Sequence, residues 1–137
     1  MPGPLSAARV VTKLPAQDLA RARQFYRDVL GLEPVEERPG GLRYVCAGTE
    51  FHLFASTGAP SGQSTQLGFE IADIEHVVAE LSTRGLRFET IAGDPAGADP
   101  IVTVDGNYPS KGTGERGAFF YDSEGNLLAI GQPTQNG

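Results

Sequence analysis

Residues 17–32 read QDLARARQFYRDVLGL. Apolar side chains fall at Leu19, Ala22, Phe25, Tyr26, Val29 and Leu30, a stripe with the period of an α-helix, and Asp18 and Gly31 stand where a cap and a stop belong. The pattern is written a second time further on. Asp73 is placed to cap, Ile74, Val77, Val78 and Leu81 form the stripe, and Gly85 closes it. From Asp18 to Asp73 the offset is 55 residues (73 − 18), which makes the two helices near copies of each other.

The surroundings repeat as well. A strand-like run precedes each helix, at 9–15 and 65–71, and a Gly-Leu pair follows each, at Gly31-Leu32 and Gly85-Leu86. After the first helix come runs at 32–37, 41–46 and 51–56, the last two joined by a tight Ala47-Gly48-Thr49-Glu50 turn. After the second come 86–91, a Gly-, Pro- and Asp-rich stretch, and then 117–121 and 127–131 around Ser123-Glu124-Gly125-Asn126. The expected fold class is therefore α+β, built from two βαβββ modules at about 8–57 and 63–132 within a single domain of 137 residues. Such a module covers one face of its sheet with its own helix and leaves the other bare, so two modules are expected to form a curved mixed-sheet cleft. The stretch 92–115 is too long for a plain connector and is expected to be either a lid or disordered, with Tyr108 as its one aromatic.

The bulk numbers exclude several classes of function. A net charge of −6 gives no broad positive field for a nucleic acid backbone. One cysteine, Cys46, permits no internal disulfide, and no apolar run approaches the length of a membrane span. The opening MPGPLSAARV lacks the charged and apolar regions of a signal peptide, so a cytoplasmic protein is expected. Phosphate loops, nucleophile elbows and paired-cysteine motifs are absent from the sequence.

The residues from Gln17-Asp18-Leu19 to Gly31-Leu32, the run from Leu67-Gly68-Phe69-Glu70 to Asp73-Ile74, and Asp122-Ser123-Glu124-Gly125-Asn126-Leu127 together resemble the vicinal oxygen chelate superfamily. That group includes glyoxalase I, extradiol dioxygenases, fosfomycin-resistance transferases and bleomycin-resistance proteins. The resemblance runs over about 8–132 and implies a glyoxalase/bleomycin-resistance-like domain that forms a homodimer. Its metal enzymes place donors on the first and last strand of each module, and the matching positions here are Val11, His52, Gln66 and Ala129. Two of these have no donor atom, and a His with a neutral Gln is a poor ligand set, so no metal or other cofactor is expected. A shifted site using Glu70, or Asp99 and Asp105 of the long insertion, has no motif behind it.

Strand alternation sorts the remaining side chains. Phe51, Leu53, Tyr44, Cys46, Leu67, Phe69, Ile71 and Phe120 are expected in the core. Arg43, His52, Phe54, Gln66, Glu70, Phe119, Tyr121 and Leu127 are expected on the cleft wall, with Arg43 opposite Phe54 and Val45 opposite His52, and Tyr108 is added from the loop. A wall of aromatic and aliphatic groups with a few polar tips suits a flat organic molecule. Phe119 and Tyr121 also suit a dimer or module interface, His52 also suits a plain hydrogen-bonded histidine, and Lys13 either meets an anionic ligand or pairs with Glu70. The leading expectation is metal-independent binding of a small aromatic or drug-like molecule, as in bleomycin-resistance-type proteins. The alternative is a metal-independent lyase or isomerase acting on a carbonyl compound, with His52 or Glu70 as general base and Arg43 or Tyr121 stabilising the oxyanion. A metal-dependent glyoxalase or dioxygenase is the third.

Overall fold

The computed structural model describes residues 3–90, 99–106 and 112–134. Helix α1 spans Leu19–Asp28 and α2 spans Ile74–Thr83, and the same devices bound both. Asp18 accepts the Arg21 N–H at 3.0 Å and Asp73 accepts the His76 N–H at 3.2 Å, so each aspartate satisfies a donor that the first turn leaves open. At the far ends Gly31 (φ +73°) and Gly85 (φ +98°) turn left-handed, and the Leu32 and Leu86 N–H groups close back onto Tyr26 and Leu81.

Each helix belongs to one four-stranded sheet. Strands β1 (Thr12–Ala16), β2 (Glu36–Arg38), β3 (Gly41–Cys46) and β4 (Thr49–Ala55) form the first, in the order β1-β4-β3-β2. Strands β5 (Leu67–Glu70), β6 (Val102–Asp105), β7 (Gly114–Tyr121) and β8 (Leu127–Thr134) form the second, in the order β5-β8-β7-β6. In both sheets the strand before the helix pairs in parallel with the last strand and the remaining pairs are antiparallel. The expected pair of βαβββ modules is the architecture found.

Three expectations change in detail. The β3–β4 hairpin turns on two residues, Ala47 (φ +50°) and Gly48 (φ +81°), instead of four, which sets Arg43 against His52 and Val45 against Glu50. The slip is by two residues, so every side chain keeps its face. The stretch expected to be either a lid or disordered contributes β6, which pairs with β7 and gives the second module its full set of strands. Conversely, the strand expected at 86–91 reduces to a single bridge between Phe88 and Phe120, whose rings meet edge to face at 5.9 Å.

The helix-facing sides of the two sheets make one core, with Leu14, Tyr26, Tyr44, Leu53, Ile74, Phe120 and Leu128 fully buried. Phe51 of the first module meets Phe69 of the second edge to face at 6.0 Å. A turn of the second module locks the junction. Asp122 accepts the Tyr26 hydroxyl at 2.7 Å, Asn126 donates to the Pro15 carbonyl at 3.0 Å, and Glu124 takes the Gln17 and Asp18 N–H groups and the Arg21 guanidinium. No described helix is long and apolar enough to cross a membrane.

Candidate functional site

Since the helices cover one face of each sheet, the opposite faces are where ligands have room. On the first sheet that face carries a polar row running across all four strands. Lys13 of β1 stands beside His52 of β4, His52 beside Arg43 of β3, and Arg43 beside Glu36 of β2. Arg43 donates through Nε to Glu36 at 3.1 Å, and its Nη1 lies 3.7 Å from Glu50. Glu50 sits two residues before His52 on the same face and is bonded to His52 Nε2 at 2.9 Å. His52 and Arg9 hold the Glu50 carboxyl down at about 2. A carboxylate that is ionised at neutral pH only accepts, so His52 Nε2 carries the proton and Nδ1 is left as the acceptor of the neutral ring. Phe54 and Gly41 join this row around a groove of about 230 Å³.

The second sheet repeats the geometry with different chemistry. Gly68 of β5, Ala129 of β8 and Phe119 of β7 occupy the places that Lys13, His52 and Arg43 hold in the first. The next row is Glu70, Gly131, Gly117 and Val102; Gly117 keeps its floor low, while the Glu115 side chain lies over Gly131. Above it lies a groove of about 620 Å³ whose walls include Gln66, Val102, Val104, Glu115 and Phe119. All the residues lining it belong to the second module, as all those lining the smaller groove belong to the first.

The structure therefore divides the residues that the sequence gathers into one wall. Arg43, His52 and Phe54 come together on the first sheet, and Gln66, Glu70 and Phe119 on the second. Tyr121 shares the second face but stands outside the groove, donating its hydroxyl to the Gly62 carbonyl at 2.7 Å, and Leu127 lies opposite it. Tyr108 falls outside the described residues. Lys13 and Glu70 occupy different sheets, and Lys13 has no hydrogen bond or ion pair among the described residues. Glu50 was not expected at the site, although its spacing of two from His52 on one strand carried the signal. Val102 and Val104 were missed because the glycine-rich stretch around them hid their strand.

Among the described residues the donor set a metal would need is not assembled in this chain. Val11 lies ahead of β1 and, like Ala129, has no donor atom. Gln66 spends its amide on Asn126 and on the Leu127 N–H, at 3.0 and 3.3 Å, while His52 is on the other sheet and bonded to Glu50. Among the described residues no group of three His, Cys, Asp or Glu side chains converges on one point.

Solved structures share this architecture across nearly their whole length. A glyoxalase/bleomycin resistance protein/dioxygenase from Alicyclobacillus acidocaldarius superimposes with a TM-score of 0.67 at 18% identity, covering 94% of this chain and 93% of that one. A lactoylglutathione lyase from Agrobacterium tumefaciens gives 0.61 at 22% identity, covering 92% and 93%. TnmS3, an antibiotic binding protein from a Streptomyces species, gives 0.59 at 23% identity, covering 93% and 98%. At these identities the likeness establishes the fold and leaves the activity open. No curated protein matches the chain in sequence. The sequence model of one superfamily matches residues 8–130. With its two βαβββ modules, the chain belongs to the Glyoxalase/Bleomycin resistance protein/Dioxygenase superfamily.

Proposed function

We propose that the protein binds a small, flat organic molecule, aromatic or drug-like, on its open sheet faces without the help of a metal ion. The observation that carries this reading is the 620 Å³ groove of the second sheet, where Phe119, Val102, Val104 and Ala129 stand around a floor left low at Gly68 and Gly117, alongside Glu70 and Glu115. Its size falls within the range of small-molecule sites, and an aromatic wall over a low floor matches the face of a ring. An antibiotic-binding protein among the structural relatives agrees with this reading. The cleft closes in a homodimer, where the first-sheet face of one copy covers the second-sheet face of the other. Thermal-shift and calorimetric screening against aromatic natural products tests the proposal. Hits should lose roughly tenfold in affinity on Phe119→Ala, the loss expected when one aromatic contact is removed. The absence of any hit would overturn the binding function, and a stoichiometric metal that binding requires would overturn metal independence.

The His52–Glu50 pair favours a second reading. A histidine whose Nε2–H is fixed by a carboxylate presents Nδ1 as a general base, so the same face could remove a proton next to a carbonyl group. In that case His52→Ala abolishes turnover of a carbonyl substrate and Glu50→Gln reduces it. Turnover unchanged in both variants would dismiss the role.

A further inference from the structure

We infer that the polar row of the first sheet is an anion subsite, and that the molecule bound in the cleft carries a carboxylate. This rests on the binding function proposed above and adds the chemical class of its ligand. Four bases, Arg9, Lys13, Arg38 and Arg43, surround two carboxylates, Glu36 and Glu50, on this face, a local balance of +2 (4 − 2) in a chain whose net charge is −6. The two carboxylates are already engaged: Glu36 accepts from Arg38 and Arg43, and Glu50 from Arg9 and His52. Lys13 has no partner among the described residues, yet it stands next to His52 in the row and lines the groove.

The shape of the donors selects the anion. Glu36 and Glu50 already draw on Arg38, Arg9 and Arg43, while Lys13 has no carboxylate partner among the described residues, and a planar guanidinium beside an ammonium group suits a planar carboxylate. A planar carboxylate over His52, between the Lys13 ammonium and the outer nitrogens of Arg43, would receive donors from the two strands that flank β4. In the second sheet the equivalent positions are Gly68 and Phe119, which offer an anion nothing but fit the ring that the carboxylate would be attached to. The two faces thus divide the ligand between them.

Benzoate, benzamide, benzylamine and phenyl phosphate are the probes, followed by NMR titration of the full chain. The sequence has two histidines, so the imidazole signals of His76, exposed on α2, serve as an internal control for those of His52. Benzoate should shift the His52 signals and leave His76 unmoved, and should bind more tightly than the other three probes. Lys13→Gln and Arg43→Gln should each weaken benzoate about tenfold, the loss expected for one charge-assisted contact, and weaken the uncharged benzamide less. Lys13 is exposed, so its replacement leaves the fold in place. Equal binding of benzoate and benzamide would overturn the anion subsite while leaving aromatic binding standing. Preference for phenyl phosphate or benzylamine would overturn the carboxylate assignment, and no response to any probe would count against both the subsite and the binding function.

Discussion

Two tyrosines lie tilted against each other in the core of the first module, with ring centroids 5.4 Å apart, and among the described residues only one of them has a partner for its hydroxyl. Tyr26 donates to Asp122 at 2.7 Å, whereas the Tyr44 hydroxyl is buried with none among the described residues. Burial pushes the Tyr44 phenol up to about 12, so both remain protonated donors at neutral pH. Removing the two hydroxyls should therefore have unequal effects. Tyr26→Phe breaks a bond to a carboxylate and should cost about 1.5–3 kcal/mol, while Tyr44→Phe should change stability by less than about 0.5 kcal/mol. Urea unfolding of the two variants beside the parent protein checks this, and equal losses would show that the Asp122 bond contributes nothing specific. Alternation in the sequence identifies Tyr44 as a core residue and helical period does the same for Tyr26, because both signals are local. Their partners are not legible there, since Asp122 lies 96 residues from Tyr26. Glu50 and His52 stand between these cases: their spacing of two is visible in the sequence, but a four-residue turn would hold Glu50 off the strand, and only the two-residue turn at Ala47 and Gly48 places it on the face of His52.

At the level of elements, the turn between β7 and β8 does more than reverse the chain. Its Asp122 accepts the N–H groups of Glu124 and Asn126, which fixes the turn, and Glu124 then reaches the N-terminal end of α1 in the other module. There the carboxylate meets two backbone N–H groups, the Arg21 guanidinium and the positive end of the helix. Burial alone would raise the Glu124 carboxyl, but the bonds from Arg21, the Asp18 N–H and Ser123 outweigh it and bring the group down to about 2. A carboxyl depressed in the folded state contributes stability that is present above its ordinary value of 4.5 and is lost as pH falls towards 2. Glu124→Gln should thus lower stability at neutral pH by about 1–3 kcal/mol and flatten the decline between these two pH values. Unfolding measured across that range decides the matter, and an acid limb as steep as that of the parent protein would remove Glu124 from the account. The helix caps and stops around this junction were readable because Asp18, Gly31, Asp73 and Gly85 act within one turn of their own chain. Strand β6 was not, because four residues inside a glycine-rich stretch give too short an alternation to stand out, and pairing with β7 is what makes them a strand.

For the whole molecule, the decisive fact is that the helix-covered faces of the two sheets share one core, so the two open faces line separate grooves. The sequence could not convey this, because alternation marks a bare face in the same way whatever will cover it. A face rich in bases and one that sets Phe119 and two valines beside the carboxylates of Glu70 and Glu115 are poor halves of a site when apart and complementary ones when brought together, which is why the proposed dimer pairs unlike faces. That geometry makes a prediction that neither face alone can satisfy. Phe54→Asp on the first sheet and Phe119→Asp on the second should each abolish binding of an aromatic ligand, since every site in such a dimer contains one copy of each face. Mixed and allowed to exchange subunits, the two inactive proteins should regain activity. Half the dimers then contain one of each, and in each of those one site combines two damaged faces while the other combines two intact ones, so about a quarter of all sites recover. Calorimetric stoichiometry near that fraction, from partners that bind nothing separately, would establish a cleft built across two copies. No recovery after demonstrated exchange would mean that the faces do not meet, and each groove would then have to bind its ligand unaided.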